Sequence, residues 1–191
     1  MERRDLLKMI FAATGAAMVG LPALAHGQAP AAGTKPLFSA AEVGLLDEIA
    51  ETILPRTKTP GAKDAGVGQF MARFVTDCYT PREQATFRAG LVDIDKRAGG
   101  RFVSLTPQAR TELLRALDAE ARKHLVKVTD TGTPKALAAM PHAFTMIKQL
   151  TLFSFFTSKV GATEVLRYVA VPGRYDGDLA YVPGTPAWGT N

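Results

Sequence analysis

The sequence predicts an all-α protein, a compact domain of about five to six helices followed by an extended C-terminal tail rich in Pro, Gly and aromatic residues. Three observations predict it. Capping residues precede apolar positions at helical spacing, no segment shows the period-two alternation of a half-buried strand, and Pro and Gly separate the helical patterns. The 191 residues are 47% hydrophobic and 21% charged, a composition typical of a globular domain and not of a disordered chain.

The first 25 residues have the organisation of an export signal. A charged stretch over residues 1–8 precedes an apolar stretch over residues 9–25, too short to span a bilayer comfortably. Ala23 and Ala25 fit an A-x-A cleavage site. The charged stretch resembles the twin-arginine export signal, Arg-Arg-x-Phe-Leu-Lys. The residues of this motif are Arg3, Arg4, Leu6, Leu7 and Lys8. A general secretory signal or an uncleaved anchor are the alternatives.

Composition divides the remaining chain into three parts. Residues 26–37 are rich in Ala, Gly and Pro and predict a flexible linker. Residues 38–168 carry the helical patterns and predict the folded domain. Residues 169–191 contain three Pro together with aromatic and Arg side chains, so no regular element is expected there.

Two helices are predicted in the first part of the domain. Ser39 and Glu42 form a capping box that begins the first helix, and Pro55 ends it. A Pro-Gly pair at residues 60–61 predicts a loop before the second helix, which runs from about Val67 to Cys78. The predicted inward face of this second helix consists of Val67, Phe70, Met71, Phe74, Val75 and Cys78.

The remaining helices also begin at capping residues. Thr80-Pro81 and Thr106-Pro107 begin the third and fourth helices, and glycines at residues 99–100 end the third. Pro141 opens a long apolar helix, and a short helix is expected between Gly161 and Tyr168. The inward positions predicted for these helices are Phe87, Leu91, Ile94, Leu113, Leu114, Leu117, Ala121, Leu125, Phe144, Ile147, Leu150, Phe153 and Phe156.

No motif for a catalytic, cofactor or metal site is found in the sequence. A single cysteine, Cys78, excludes a disulfide framework, a multi-cysteine metal site and c-type haem attachment, and we expect it to be buried. Gly66-Val67-Gly68 lacks the third glycine of a dinucleotide fingerprint. The histidines lack metal-ligand spacing, and His142 is expected to cap a helix or lie on the surface. The net charge of +5 gives little reason to expect a nucleic-acid partner.

These observations together indicate a partner that holds the cofactor. The twin-arginine route carries folded proteins, and this chain shows no cofactor motif. We therefore expect it to accompany a folded, cofactor-loaded subunit across the membrane. Aromatic and Arg side chains are frequent interface anchors. The predicted interface residues are Arg56, Arg174, Tyr175, Tyr181 and Trp188. The alternative is a tail that packs over its own helices.

Two segments resemble a known family. Residues 51–62 read Glu-Thr-Ile-Leu-Pro-Arg-Thr-Lys-Thr-Pro-Gly-Ala, and residues 153–161 read Phe-Ser-Phe-Phe-Thr-Ser-Lys-Val-Gly, with Val-Pro-Gly-Arg-Tyr at residues 171–175. Together with the signal, the chain resembles the small subunit, subunit 3 or gamma, of gluconate 2-dehydrogenase, over residues 38–178.

The resemblance implies a non-catalytic subunit of a periplasmic, membrane-associated dehydrogenase. A flavoprotein of the glucose-methanol-choline oxidoreductase type would hold FAD and oxidise a sugar or sugar acid, and a cytochrome c subunit with haem c often accepts the electrons. Related complexes oxidise glucosides at carbon 3. The small subunit would support export and maturation of the flavoprotein.

Two other functions stay open at this point. One is a membrane-tethered assembly factor that leaves after maturation of the flavoprotein. The other is a self-sufficient periplasmic enzyme with an unrecognised site around His142 or Cys78.

Overall fold

The computed structural model describes residues 37–130, 140–171, 173, 177–178, 180 and 182–189. Five α-helices account for most of this part of the chain: α1 (Ala40–Ile53), α2 (Val67–Cys78), α3 (Pro81–Arg97), α4 (Pro107–Asp130) and α5 (Ala143–Phe156). A 3-10 turn, Phe102–Ser104, and a π-helical turn, Gly161–Val165, complete the regular structure, and these described residues contain no β-strand. The all-α prediction is confirmed.

The helix starts predicted from capping residues are present. In α1 the Glu42 amide donates to Ser39 Oγ at 3.3 Å, while the Ser39 amide donates to the Glu42 carboxylate at 2.8 Å. Thr80 and Glu83 form the same reciprocal pair at the start of α3. Each pair satisfies two amides that the first turn of a helix leaves without partners, which is why these starts could be predicted from local sequence.

Helix α5 is the centre of the domain and packs against each of the other four α-helices. It is apolar around most of its circumference, as a helix enclosed by others must be. Its two buried hydroxyls, Thr151 and Ser154, donate to the carbonyls of Ile147 and Leu150 at 2.9 and 2.6 Å, so neither leaves the core with an unsatisfied polar group. The core side chains that pack around α5 include Leu46, Ile49, Met71, Val75, Phe87, Ile94 and Leu117.

Three side chains predicted to face inward lie on the surface instead. Phe70, Phe153 and Phe156 are 43%, 40% and 36% exposed, and Cys78 is only half-buried. The stripe of α2 that enters the core is Val67, Met71 and Val75, spaced by four residues. Phe70 lies about 100° around the helix from Met71, since successive residues turn by that angle. The apolar face of α2 is thus wider than the part of it that the neighbouring helices cover.

The predicted export signal, its cleavage site and the linker up to residue 36 lie outside the described residues. No helix in the part of the chain that the structure describes is both long enough and apolar enough to cross a membrane.

Candidate partner-binding surface

The loop between α1 and α2 is held in place by Glu51 of α1. Its two carboxylate oxygens accept the amides of Arg56 and Lys63 at 2.8 and 2.9 Å, so one side chain fixes both ends of the loop. Gly61 lies directly against this carboxylate, and a Cβ at that position would come within 2.5 Å of Glu51 Oε1. The loop conformation therefore depends on a glycine and a carboxylate that are ten residues apart.

A second carboxylate of α1 caps α2. The Gly68 amide, in the first turn of α2, donates to Asp47 Oδ1 at 3.0 Å. Gly66, just before the helix, has a φ of +63°, a left-handed conformation that glycine adopts without strain. The Gly66-x-Gly68 motif thus places an amide on the protein's own aspartate, and it does not offer that amide to a nucleotide phosphate. The two glycines thus shape the entry into α2.

Glu48 joins the loop to α4. Lys63 Nζ lies 2.5 Å from Glu48 Oε1, and the Arg110 guanidinium pairs with the other carboxylate oxygen. Burial opposes ionisation of Glu48, but the hydrogen bonds and charges of Lys63 and Arg110 outweigh it and lower the pKa of this carboxyl. The Arg110 guanidinium also lies over the Phe102 ring, 5.7 Å from its centroid. Helix α1, the loop and helix α4 meet at Glu48. These contacts fix the position of the loop relative to the two helices.

Arg56, a predicted interface residue, lies on the outer side of this loop. Its side chain is 66% exposed, and its guanidinium pairs with the carboxylate of Asp64, which also accepts the Gly61 amide at 2.7 Å. The hydrogen bond that the Arg56 guanidinium donates to the Asp64 carboxylate lowers the pKa of Asp64 and raises the pKa of Arg56. The negative charge of Glu164 in the π-helical turn also acts on Arg56. Arg56 is therefore accessible to a partner, in an orientation set by Asp64.

Three phenylalanines form a cluster that we call the aromatic surface: Phe70 of α2 and Phe153 of α5, which are exposed, and Phe74 of α2, which is half-buried. The Phe70 and Phe74 rings stack with centroids 5.7 Å apart and an interplanar angle of 24°. Phe153 lies 6.4 Å from the first ring and 5.7 Å from the second. The spacing of four residues within α2 brings its two rings together, and the packing of α2 against α5 adds the third.

The sequence does not predict the aromatic surface, because periodicity places all three rings on inward faces of their helices. Aromatic rings are enriched where proteins bind one another, and an exposed apolar cluster marks such a site more strongly than scattered apolar residues do.

Trp188, a second predicted interface residue, packs on its own chain. The Arg167 guanidinium carbon lies 3.9 Å from the centroid of the Trp188 ring, a cation–π contact. Two backbone hydrogen bonds of 2.8 Å flank it: the Arg167 amide donates to the Ala187 carbonyl, and the Gly189 amide donates to the Arg167 carbonyl. These contacts join residues 187–189 of the tail to Arg167. The indole is still 42% exposed, which leaves it accessible to a partner as well.

The other predicted site residues lie outside the described residues. They are Arg174, Tyr175 and Tyr181 in the tail, Arg3, Arg4, Leu6, Leu7 and Lys8 in the signal, and Ala23 and Ala25 at the cleavage site.

His142 and Cys78, the residues around which an enzymatic site stayed open, lie in environments that disfavour their charged forms. His142 is the N-cap of α5, where its Nδ1 accepts the Phe144 amide at 3.2 Å, and its ring lies 5.9 Å from that of His124. Burial and the charge of His124 lower the pKa of His142. Burial, with Asp77, raises the pKa of the Cys78 thiol, which disfavours the thiolate that acts as a nucleophile. The described residues contain no group of three His, Cys, Asp or Glu side chains placed to hold a metal ion.

The family model described as gluconate 2-dehydrogenase subunit 3 matches residues 40–173, more than half of the chain. No curated protein and no solved structure matches significantly. The matched residues begin with α1 and include both the carboxylate-held loop and the aromatic surface.

Proposed function

Because the chain belongs to the gluconate 2-dehydrogenase subunit 3 family, we propose that it is the non-catalytic small subunit of a periplasmic FAD-dependent sugar or sugar-acid dehydrogenase. The complex is of the gluconate 2-dehydrogenase or glucoside 3-dehydrogenase type. The chain escorts the folded flavoprotein through twin-arginine export and stabilises it afterwards. The observation that carries the proposal is the family match over residues 40–173, which spans all five α-helices.

In this proposal the cofactors belong to other subunits. FAD is held by a flavoprotein of the glucose-methanol-choline oxidoreductase type, and haem c by a cytochrome subunit where one is present. The complex associates with the membrane through its other subunits. Exposed aromatic side chains, in the aromatic surface and in the tail, support a role in binding a protein, since such side chains supply much of the binding energy of interfaces.

The proposed contacts with the flavoprotein include Arg56, Arg174, Tyr175, Tyr181 and Trp188. Truncating a true anchor typically costs at least about 1 kcal/mol of binding free energy. Arg174→Ala is expected to weaken capture of the flavoprotein by that amount or more.

The proposed function is tested by affinity purification of the C-terminally tagged chain from the periplasm of its native host. The expected product is yellow, shows a flavin spectrum and contains a flavoprotein chain. Replacing the twin arginines by Arg3→Lys/Arg4→Lys should remove both chains from the periplasm together, because the flavoprotein travels with this signal.

The matched control is Arg82→Lys/Arg115→Lys, which makes the same chemical change at two exposed positions of α3 and α4. It should leave the yellow complex intact. Recovery of a colourless chain without a flavoprotein from wild-type periplasm would refute the escort role.

A further inference from the structure

The aromatic surface leaves apolar rings in contact with water. Phe70 and Phe153 are 43% and 40% exposed, while Phe74 lies between them and contacts both rings. Phe156, at the C-terminal end of α5, is also exposed. Burial of apolar area is favourable roughly in proportion to that area, so a segment that covers these rings is stabilised by the contact.

The chain enters the domain close to this surface. Leu37 packs against the core, and the Phe38 ring lies 6.1 Å from that of Phe87. From Phe87 the next ring is Tyr79, at 6.0 Å, and from Tyr79 the next is Phe74, at 5.9 Å. Three such steps place the Phe74 ring no more than about 18 Å from the Phe38 ring.

The linker before residue 37 has the length to cover this distance. Residues 26–36 are 11 residues rich in Ala, Gly and Pro. A flexible chain of that length has a root-mean-square span of roughly 17–20 Å, close to the distance required. The effective concentration of a tethered segment is highest when these two lengths match, and it then reaches the order of mM.

We propose that residues 9–25 of the full-length chain dock on the aromatic surface. This segment contains no charged residue, and it offers the large apolar side chains of Ile10, Phe11, Met18 and Leu21. Methionine in particular makes favourable contacts with aromatic rings. At an effective concentration on the order of mM, an intrinsic dissociation constant of about 1 mM is enough to keep the surface covered half of the time.

Docking would couple export to assembly, a consequence that rests on the proposed function. A flavoprotein that covers the aromatic surface displaces residues 9–25 and frees the adjoining twin-arginine motif for the export machinery. A chain without a partner keeps its signal on its own surface, so that export waits for assembly.

The test is photo-crosslinking of the full-length chain, purified without a partner. Benzoylphenylalanine replaces Phe70 in one variant and Phe153 in a second, so that a folding defect in one does not end the test. Illumination should join each probe to a peptide within residues 9–25. The control probe replaces Val92, an apolar position of α3 that is 67% exposed, and should not capture this segment.

A charged variant tests the apolar nature of the contact. Phe11→Asp/Met18→Asp should reduce the crosslink at least about fivefold, because each carboxylate must lose its hydration on docking. Ala29→Asp/Ala31→Asp makes the matched change in the linker and should leave the yield unchanged. Equal yields from the two variants would overturn the proposal.

The remaining outcomes separate this proposal from the proposed function. Crosslinks between two copies, detected by mixing isotopically labelled and unlabelled chains, would show a self-association surface and overturn the proposal. So would probes at positions 70 and 153 that capture no peptide from residues 9–25. Crosslinking in a chain whose affinity purification yields no flavoprotein would support docking while refuting the escort role.

Discussion

At the scale of single residues, two glycines on neighbouring helices should respond oppositely to the same substitution. Gly68 touches Asp47, and a Cβ there would lie 2.8 Å from the Asp47 amide nitrogen and closer still to its carboxylate. Gly68→Ala is expected to lower the free energy of unfolding by roughly 1–3 kcal/mol, the usual effect of forcing extra atoms into a filled space. Urea denaturation followed by circular dichroism measures it.

Gly44, on the exposed side of α1, is the matched control. A Cβ there meets nothing within 4 Å. Alanine favours a helix over glycine by about 0.5–1 kcal/mol, so Gly44→Ala should raise the free energy of unfolding by that amount. If both variants were stabilised, the close contact between Asp47 and Gly68 could not be correct.

Glu51 should be more important for stability than its partly exposed position suggests. Glu51→Ala removes the acceptor of two loop amides, Arg56 and Lys63, and is expected to cost about 1–2 kcal/mol. Glu112→Ala is the control, since this exposed carboxylate of α4 accepts only a 3.4 Å bond from Gln108 and should change stability by no more than about 0.5 kcal/mol. Similar denaturation midpoints for the two variants would contradict the role assigned to Glu51.

The sequence did not predict that the carboxylates of Asp47 and Glu51 accept backbone amides, and the reason is physical. Asp47 and Glu51 accept amides 21 and 12 residues further along the chain, and no local pattern reveals contacts at such separations. The capping boxes at Ser39 and Thr80 were predicted because both partners lie within three residues of each other.

At the scale of elements, sequence periodicity located the helices better than it located their exposed sides. The bounds of α2 agree with the prediction, while Phe70 and Phe153 lie on the surface instead of the core. Periodicity shows which side chains share an arc of a helix. How much of that arc is covered depends on the other helices, and their positions are set by tertiary packing.

Residues 187–189 of the tail should detach from Arg167 when either half of the cation–π contact between Arg167 and Trp188 is removed. Trp188→Ala and Arg167→Ala each delete one partner of the 3.9 Å contact, and each should raise the rate of protease cleavage within residues 168–187 several-fold. Because both variants lose the same interaction, the double variant should be cleaved no faster than the faster single one.

Tyr168→Ala is the control for this measurement. Its side chain is exposed beside Arg167 but takes no part in the contact, and its cleavage rate should match that of the wild type. Independent, multiplying effects of Trp188→Ala and Arg167→Ala would show that the indole and the guanidinium do not hold the tail together.

At the scale of the whole molecule, ion pairs between helices make the fold less stable as the pH falls. The hydrogen bond from Lys148 of α5, at 2.6 Å, lowers the pKa of Asp118 of α4 below its ordinary 3.8, and the pKa of Glu48 lies below its ordinary 4.5. A carboxyl with a lowered pKa stabilises the folded state above its ordinary pKa, and this contribution is lost as the pH falls through the folded value.

His142 also lowers the free energy of unfolding as the pH falls, but it acts at higher pH than the carboxyls. Burial and His124 lower its pKa below the ordinary 6.5. The unfolded chain therefore takes up the proton first as the pH falls, and the free energy of unfolding decreases below about pH 6.5. Together these groups predict a stability that declines gently from pH 7 and steeply below pH 4.5.

Urea denaturation at a series of pH values tests this profile, and two variants assign its parts. His142→Asn keeps an N-cap acceptor for α5 but cannot titrate, so the slope between pH 7 and pH 5.5 should flatten.

Asp118→Asn should lower stability at pH 7 and reduce the loss below pH 4.5, because the charged partner of Lys148 is then absent at every pH. Glu112→Gln, at an exposed position of the same helix, should keep the wild-type profile. A wild-type slope in His142→Asn would mean that another group causes the decline in stability between pH 7 and pH 5.5. An unchanged loss of stability below pH 4.5 in Asp118→Asn would mean that the α4–α5 ion pair adds nothing to the stability of the fold.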